Sequence, residues 1–200
     1  ELKNDKEVVM VAVKHDGNAL AHASNELKNE KEVVLSAVTQ NGCALEYASN
    51  ELKNDKEVVM VAVKRDGDAL AHASNELKND THVVMAAVNQ KGKALEYASD
   101  ELRKDEQVVM GAVKRATSSF YWASDLLRNN VDFMLKCIQE VGARFLGAED
   151  NGQRVVPSKW TNHHEFMVRA VKLDRRCLRY ASDRLRSNSQ FMRATVPRYE

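Results

Sequence analysis

Residues 1–25 read ELKNDKEVVMVAVKHDGNALAHASN, and residues 51–75 read ELKNDKEVVMVAVKRDGDALAHASN. The two stretches differ only at His15/Arg65 and Asn18/Asp68. Residues 26–50 and 76–100 are looser copies, and both carry EYAS where the odd copies carry AHAS. The repeating unit is therefore 25 residues long. A unit this short cannot bury its apolar face alone, so stacking of neighbours has to supply the core. Copies five (101–125) and six (126–150) are degenerate but stay in register. Copy seven is displaced by eight extra residues within 151–163 and resumes as HEFMVRAVKLDRRCLRYASD. A last half copy, RLRSNSQFMRATV, starts at Arg184.

Aligned copies form columns. One holds Leu2, Leu27, Leu52, Leu77, Leu102, Leu127, Trp160 and Leu185. A second holds Val8, Val33, Val58, Val83 and Val108, then Phe133, Phe166 and Phe191. A third is small, running from Ala12 and Ala37 to Cys137, Ala170 and Thr195. A fourth is wholly Ala: 23, 48, 73, 98, 123, 148 and 181. Large columns predict core, and small ones predict close approach of two backbones.

The run Val8–Val13 could form a buried strand by composition. The degenerate copies decide for helix. In FMLKCI, FMVRAV and FMRATV the apolar residues fall at i, i+1, i+4 and i+5, which is helical spacing. Asn4 followed by Glu7 reads as an N-cap with a capping box, repeated at Asn29 and Asn54. Gly17, Gly42, Gly67, Gly92 and Gly142 fall where a left-handed residue ends the first helix. A second helix is expected from about 18 to 28, with Leu20, Ala23, Ser24 and Leu27 on one face. The fold class is an all-α, right-handed-type α-solenoid of 25-residue two-helix repeats, about seven and a half copies. The expected organisation is six regular repeats over 1–150 and an insertion loop with the start of the next unit over 151–163. The seventh repeat and a C-terminal capping helix follow over 164–200. The insertion has turn signals at both ends, and Ser158 is a candidate new N-cap.

The phrases ELKNDKEVVMVAVK and NGCALEYASNELKND resemble the domain-of-unknown-function 4116 repeat family. The resemblance is close over 1–125 and looser over 126–150 and 164–196. It implies a tandem helical array of the kind found in microbial eukaryotes, algae included, and in some intracellular bacteria. It brings no enzyme activity and no catalytic residues to carry over.

Composition limits function further. Apolar residues make up 44% and charged residues 30%, a globular balance. The longest apolar run has six residues, against about 20 for a membrane span. Cys43, Cys137 and Cys177 make no C-x-x-C pair, and the six His are scattered, so no metal site or cofactor is expected. No phosphate-binding glycine loop or nucleophile motif is present, and no catalytic residue is assigned. Reduced thiols favour an intracellular setting. Glu1 falls inside a second helix without an initiator Met, so the chain is expected to be N-terminally incomplete and its targeting signal out of view.

Two features stand out from the repeat. A ring ladder runs His22, Tyr47, His72, Tyr97, Trp122, Tyr180, broken by Gly147. By helical-wheel arithmetic it lies far from the Leu20 and Leu27 face. Such a ladder suits base stacking or, more simply, packing between copies. Charge is also uneven: residues 1–100 carry a net −5 and residues 101–200 a net +6. Ten of the twelve aromatics follow residue 117. Tyr121, Trp122, Trp160, Arg169, Lys172, Arg175, Arg176, Arg179, Tyr180, Arg184 and Arg186 are therefore the candidate partner-binding residues. The sequence favours a non-enzymatic scaffold whose partner is another protein or protein complex. Nucleic acid ranks below that. Peripheral association with a membrane-bound complex, photosynthetic if the source is an alga, is the remaining alternative, without any transmembrane segment.

Overall fold

The computed structural model describes residues 2–195; Glu1 and residues 196–200 lie outside the described part. The chain is an all-α repeat solenoid whose helices pack in sequence order. It divides into two compact units, Glu1–Arg115 and Ala116–Glu200.

In the first unit the structural copies, counted from their N-caps as 5–29, 30–54, 55–79, 80–104 and onward, each open with a ten-residue helix: Lys6–His15, Lys31–Gln40, Lys56–Arg65, Thr81–Gln90 and Glu106–Arg115. Consecutive long helices pack against one another. The second helix is not continuous, as the sequence reading expected. It is split into a tight 3-10 segment, such as Gly42–Tyr47, and a single α-turn, such as Asn50–Lys53. The break falls at the Ala-Ser pair, where Ser49 has extended backbone. The Ser49 hydroxyl accepts from Leu52 N at 3.2 Å, and its own N–H donates to Lys28 O of the preceding copy at 3.0 Å. A serine that bonds backbone on both sides offers the chain an alternative to helix, and the helix stops. The wheel that placed the ring ladder opposite Leu20 and Leu27 does not apply to a helix broken at this point.

The caps also differ from expectation. The N-cap is the residue after the Asn: Asp5, Asp55 and Asp80 each accept two backbone N–H groups. Glu30 in the corresponding place makes no side-chain cap. The Asn is used for another purpose. Ser24 Oγ donates to Asn4 Oδ1 at 2.8 Å, and the Ser49–Asn29, Ser74–Asn54 and Ser99–Asn79 pairs repeat the bond one copy at a time. These bonds span 20 residues, so they tie neighbouring copies together rather than ending a helix.

The glycines require the largest correction. Gly17, Gly42 and Gly67 are not left-handed; among the described residues the positive-φ glycines are Gly142 and Gly152. A Cβ on Gly17 would lie 2.4 Å from Ala37 O, and one on Gly42 would lie 2.4 Å from Ala62 O. The next copy's helix passes too close for any side chain. Gly142 ends its helix with a positive φ of 74, but its ψ of −171 is extended and not left-handed helical.

The core follows the columns. Val33, Val58, Val83, Ala37, Ala62 and Ala87 are fully buried, and the Ala48, Ala73 and Ala98 column is nearly so. Leu2 and Val8, in the first sequence copy, are the exposed exceptions. Lys6 bridges to Glu32, Lys31 to Asp55 and Glu57, and Lys56 to Asp80 along the exposed edge. Solvent screens such exposed pairs, so they add little to stability.

In the second unit the valine column becomes Phe133, Phe166 and Phe191, all buried. Phe120 packs edge-on against Phe145, with centroids 4.9 Å apart. The excursion after copy six is partly ordered. Glu149–Asp150 and Gln153–Arg154 pair antiparallel. Asn151 and Gly152 both have positive φ, as a two-residue type I′ turn demands. Val155 and Val156 beyond it are buried, so the excursion contributes to the core. The N-cap of the next turn, Ser158–Thr161, is Pro157 rather than Ser158, which is already inside the turn.

Candidate functional site

The regular copies supply their own baseline: a side chain that recurs once per repeat has a repeated structural role. Exceptions are more informative. The column just before each repeat leucine reads Glu26, Glu51, Glu76 and Glu101 in the regular copies. In later copies the same column reads Leu126, Lys159 and Arg184. A column that carries carboxylates early in the chain carries cations near its end.

Within the second unit one of these exceptions, Lys159, borders a polar cleft with three arginines. Arg154 reaches it from the hairpin, Lys159 from the Ser158–Thr161 turn, and Arg179 and Arg186 from copy seven and the half copy. The floor is the same inter-copy bonding seen in the regular repeats. Ser182 N donates to Thr161 O at 3.0 Å, and Ser182 Oγ donates to Asn162 Oδ1 at 2.8 Å. Asp183 is the one carboxylate among the lining residues, and it pairs with Arg186.

Two of the cations are held by rings. The Arg179 guanidinium lies 4.7 Å from the centre of the Tyr180 ring and donates to its hydroxyl at 2.7 Å. The hydroxyl end of Tyr180 covers Gly147, where a Cβ would lie 2.4 Å from the Tyr180 oxygen. The gap in the ring ladder at Gly147 is thus the space that the Tyr180 ring fills. Lys159 lies 5.2 Å from the Trp160 ring centre and also bonds Asn129. Trp160 leans on Phe166 at 5.6 Å. Arg154 has no hydrogen-bond or ion-pair partner among the described residues.

Of the sequence candidates, the cleft gathers Arg179, Tyr180 and Arg186. Arg154 and Lys159 were missed. The signal for Lys159 was the reversed charge in the Glu column; Arg154 lies in the insertion, outside any column. The other candidates are elsewhere. Arg169 pairs with Asp132 at 2.7 Å and, with Lys172, borders a shallow groove floored by Leu135 and Leu173. Arg176 is locked onto its near neighbour Asp174. That pairing, helped by the backbone N–H of Ala143, holds the Asp174 carboxyl down to about 2. Arg175 and Arg184 are exposed. Tyr121 and Trp122 meet edge-on at 5.0 Å, and Arg128 lies over the Tyr121 ring. The indole nitrogens of Trp122 and Trp160 are buried with no partner among the described residues.

In the first unit the ring ladder is half-buried at Tyr47, His72 and Tyr97 and exposed at His22. Burial lowers the pKa of His72 and raises that of Tyr97. Two of the thiols are poor nucleophiles: burial, with Asp66 beside it, pushes Cys43 up to about 11, and burial pushes Cys177 up to about 12. No group of three or more His, Cys, Asp or Glu gathers as a metal would require, among the described residues. No helix there is long and apolar enough to cross a membrane.

A family model described as a domain of unknown function, DUF4116, matches residues 1–28, 30–78, 55–103, 80–125 and 105–142. The last four matches begin one repeat apart. No curated protein and no solved structure matches the chain.

Proposed function

Because the chain belongs to the DUF4116 family of tandem repeats, we propose that it is a non-enzymatic scaffold that binds another protein through its second unit. The observation that carries this reading is the cationic cleft, which brings Arg154 of the insertion and Lys159 of the reversed column onto one surface with Arg179 and Arg186. The remaining chemistry-bearing side chains have structural uses. Asp5, Asp55 and Asp80 cap helices, and the Glu32 and Glu57 carboxylates bridge to a lysine of the neighbouring copy. Ring positions on the first unit are largely occupied in packing, which weakens the case for base stacking. An array of rigid, locally bonded copies with one unusual end suits holding a partner in place.

Crosslinking of the full chain in its native extract tests the proposal. Lysine-reactive crosslinks to a second protein are expected from Lys159 and Lys172. Crosslinks confined to lysines of residues 1–115 would overturn it.

A further inference from the structure

The cleft of the second unit also indicates what kind of partner segment fits it, given the scaffold reading above on which this inference rests. We infer that it receives a run of carboxylates on an acidic segment of the partner protein.

The charge is built and kept available. Four cations face one carboxylate, Asp183, and that carboxylate neutralises only Arg186. Arg179 and Lys159 are steadied by the faces of Tyr180 and Trp160. A ring fixes a cation in place without cancelling its charge, so less freedom is lost when an anion arrives. The four cations come from four separate elements and all line the one cleft. Several cations on one cleft call for several carboxylates, which an acidic segment supplies. Ser158 and Thr161 lie beside them in the lining.

The same rings argue against nucleic acid. Base stacking needs an open aromatic face. Tyr180 has Arg179 over its ring and its hydroxyl end against Gly147. Trp160 has Lys159 over its ring and Phe166 and His163 beside it. The cleft offers cations without a stacking platform. The repeat itself shows part of the change, since the column of Glu26, Glu51, Glu76 and Glu101 places Lys159 in the cleft.

The experiment is a fluorescence titration of the full chain with a labelled poly-glutamate dodecamer. A phosphoserine-containing peptide and an oligouridylate of equal length are run beside it. Binding of the glutamate peptide is expected at low salt. It should weaken about tenfold between about 50 and 300 mM salt, as the Debye length shrinks from about 14 to about 6 Å. The double variant Arg154→Glu with Arg186→Glu should weaken it by about tenfold or more. Arg193→Glu, an exposed cation of the last helix outside the cleft, should change it less than about twofold. Equal loss from Arg193→Glu, tighter binding of the oligouridylate, preference for the phosphopeptide, or no binding at all would each overturn the inference. If the glutamate peptide fails while crosslinks from Lys159 to a partner persist, the acidic ligand is wrong and the scaffold reading stands. If the peptide binds but no crosslink to a partner forms, the scaffold reading fails and the acidic ligand stands.

Discussion

Replacing Gly42 with alanine separates two accounts of the repeat glycine. If it were a left-handed helix terminator, alanine would cost only backbone strain, about 1–2 kcal/mol. If it simply lowered helix propensity, alanine would stabilise by about 0.5–1 kcal/mol. The structure supports neither. Gly42 is not in the left-handed region, and its Cβ would lie 2.4 Å from Ala62 O and 2.9 Å from Asp66 N. A carbon meets its neighbours at about 3.5 Å, so the overlap is about 1 Å. The obstacle is backbone, and it cannot swing aside as a side chain would. Ala62 O also accepts from Asp66 N at 2.9 Å, so moving it strains the end of the Lys56–Arg65 helix. Overpacking of this kind costs about 1–3 kcal/mol and at times more. A net loss of about 2–3 kcal/mol is expected, which for a chain of this size is a fall in Tm of about 4–12 °C. Urea and thermal unfolding followed by far-UV circular dichroism measure it. Gly152→Ala is the comparison: its φ is 76 and nothing lies within 4 Å, so only the turn strain of about 1–2 kcal/mol applies. Gly42→Ala at or above wild-type stability would refute the close-approach argument.

Three other outcomes follow from the same packing. Leu77→Asp, at a position 5% exposed, should cost about 4 kcal/mol or more through lost burial and a buried charge; an unchanged thermal melt would disprove the leucine column. Ser74→Ala removes a cap on Leu77 N at 3.2 Å and the bond to Asn54, so urea unfolding should show a loss of about 1–2 kcal/mol. Asp174 is held down to about 2 by Arg176 and backbone N–H groups. Its stabilisation is therefore complete above pH about 4 and is lost as pH falls from about 4 to about 2. Asp174→Asn should flatten the stability–pH curve in that window, which acid titration of the melt would reveal.

The repeat length, the helical character and the core columns were legible because they rest on local periodicity. Val33, Val58 and Val83 read as core and are buried. The Asn-Asp step misled, because either residue can cap a helix and only the neighbouring copy shows which one does. Asn54 is taken by Ser74, twenty residues on, and Asp55 is left to cap. The second helix misled for a similar reason: Ser74 N reaches Lys53 O of the copy before, a bond invisible to any scale of local preference. At the candidate site, charge imbalance pointed to the right end of the chain and named Arg179, Tyr180 and Arg186. It could not separate them from Arg176 and Arg169, which pair with Asp174 and Asp132 outside the cleft.

By itself, then, the sequence determined a stacked helical array, since a 25-residue unit with one apolar face can be stable only against its own copies. Tertiary structure alone decided how the copies touch. The glycines, the Asn–Ser bonds and the Gly147 gap filled by Tyr180 all depend on atoms of a neighbouring copy that are remote in sequence. Local pattern specifies which surfaces must be covered. The distances between covered surfaces specify which residues remain free to meet a partner.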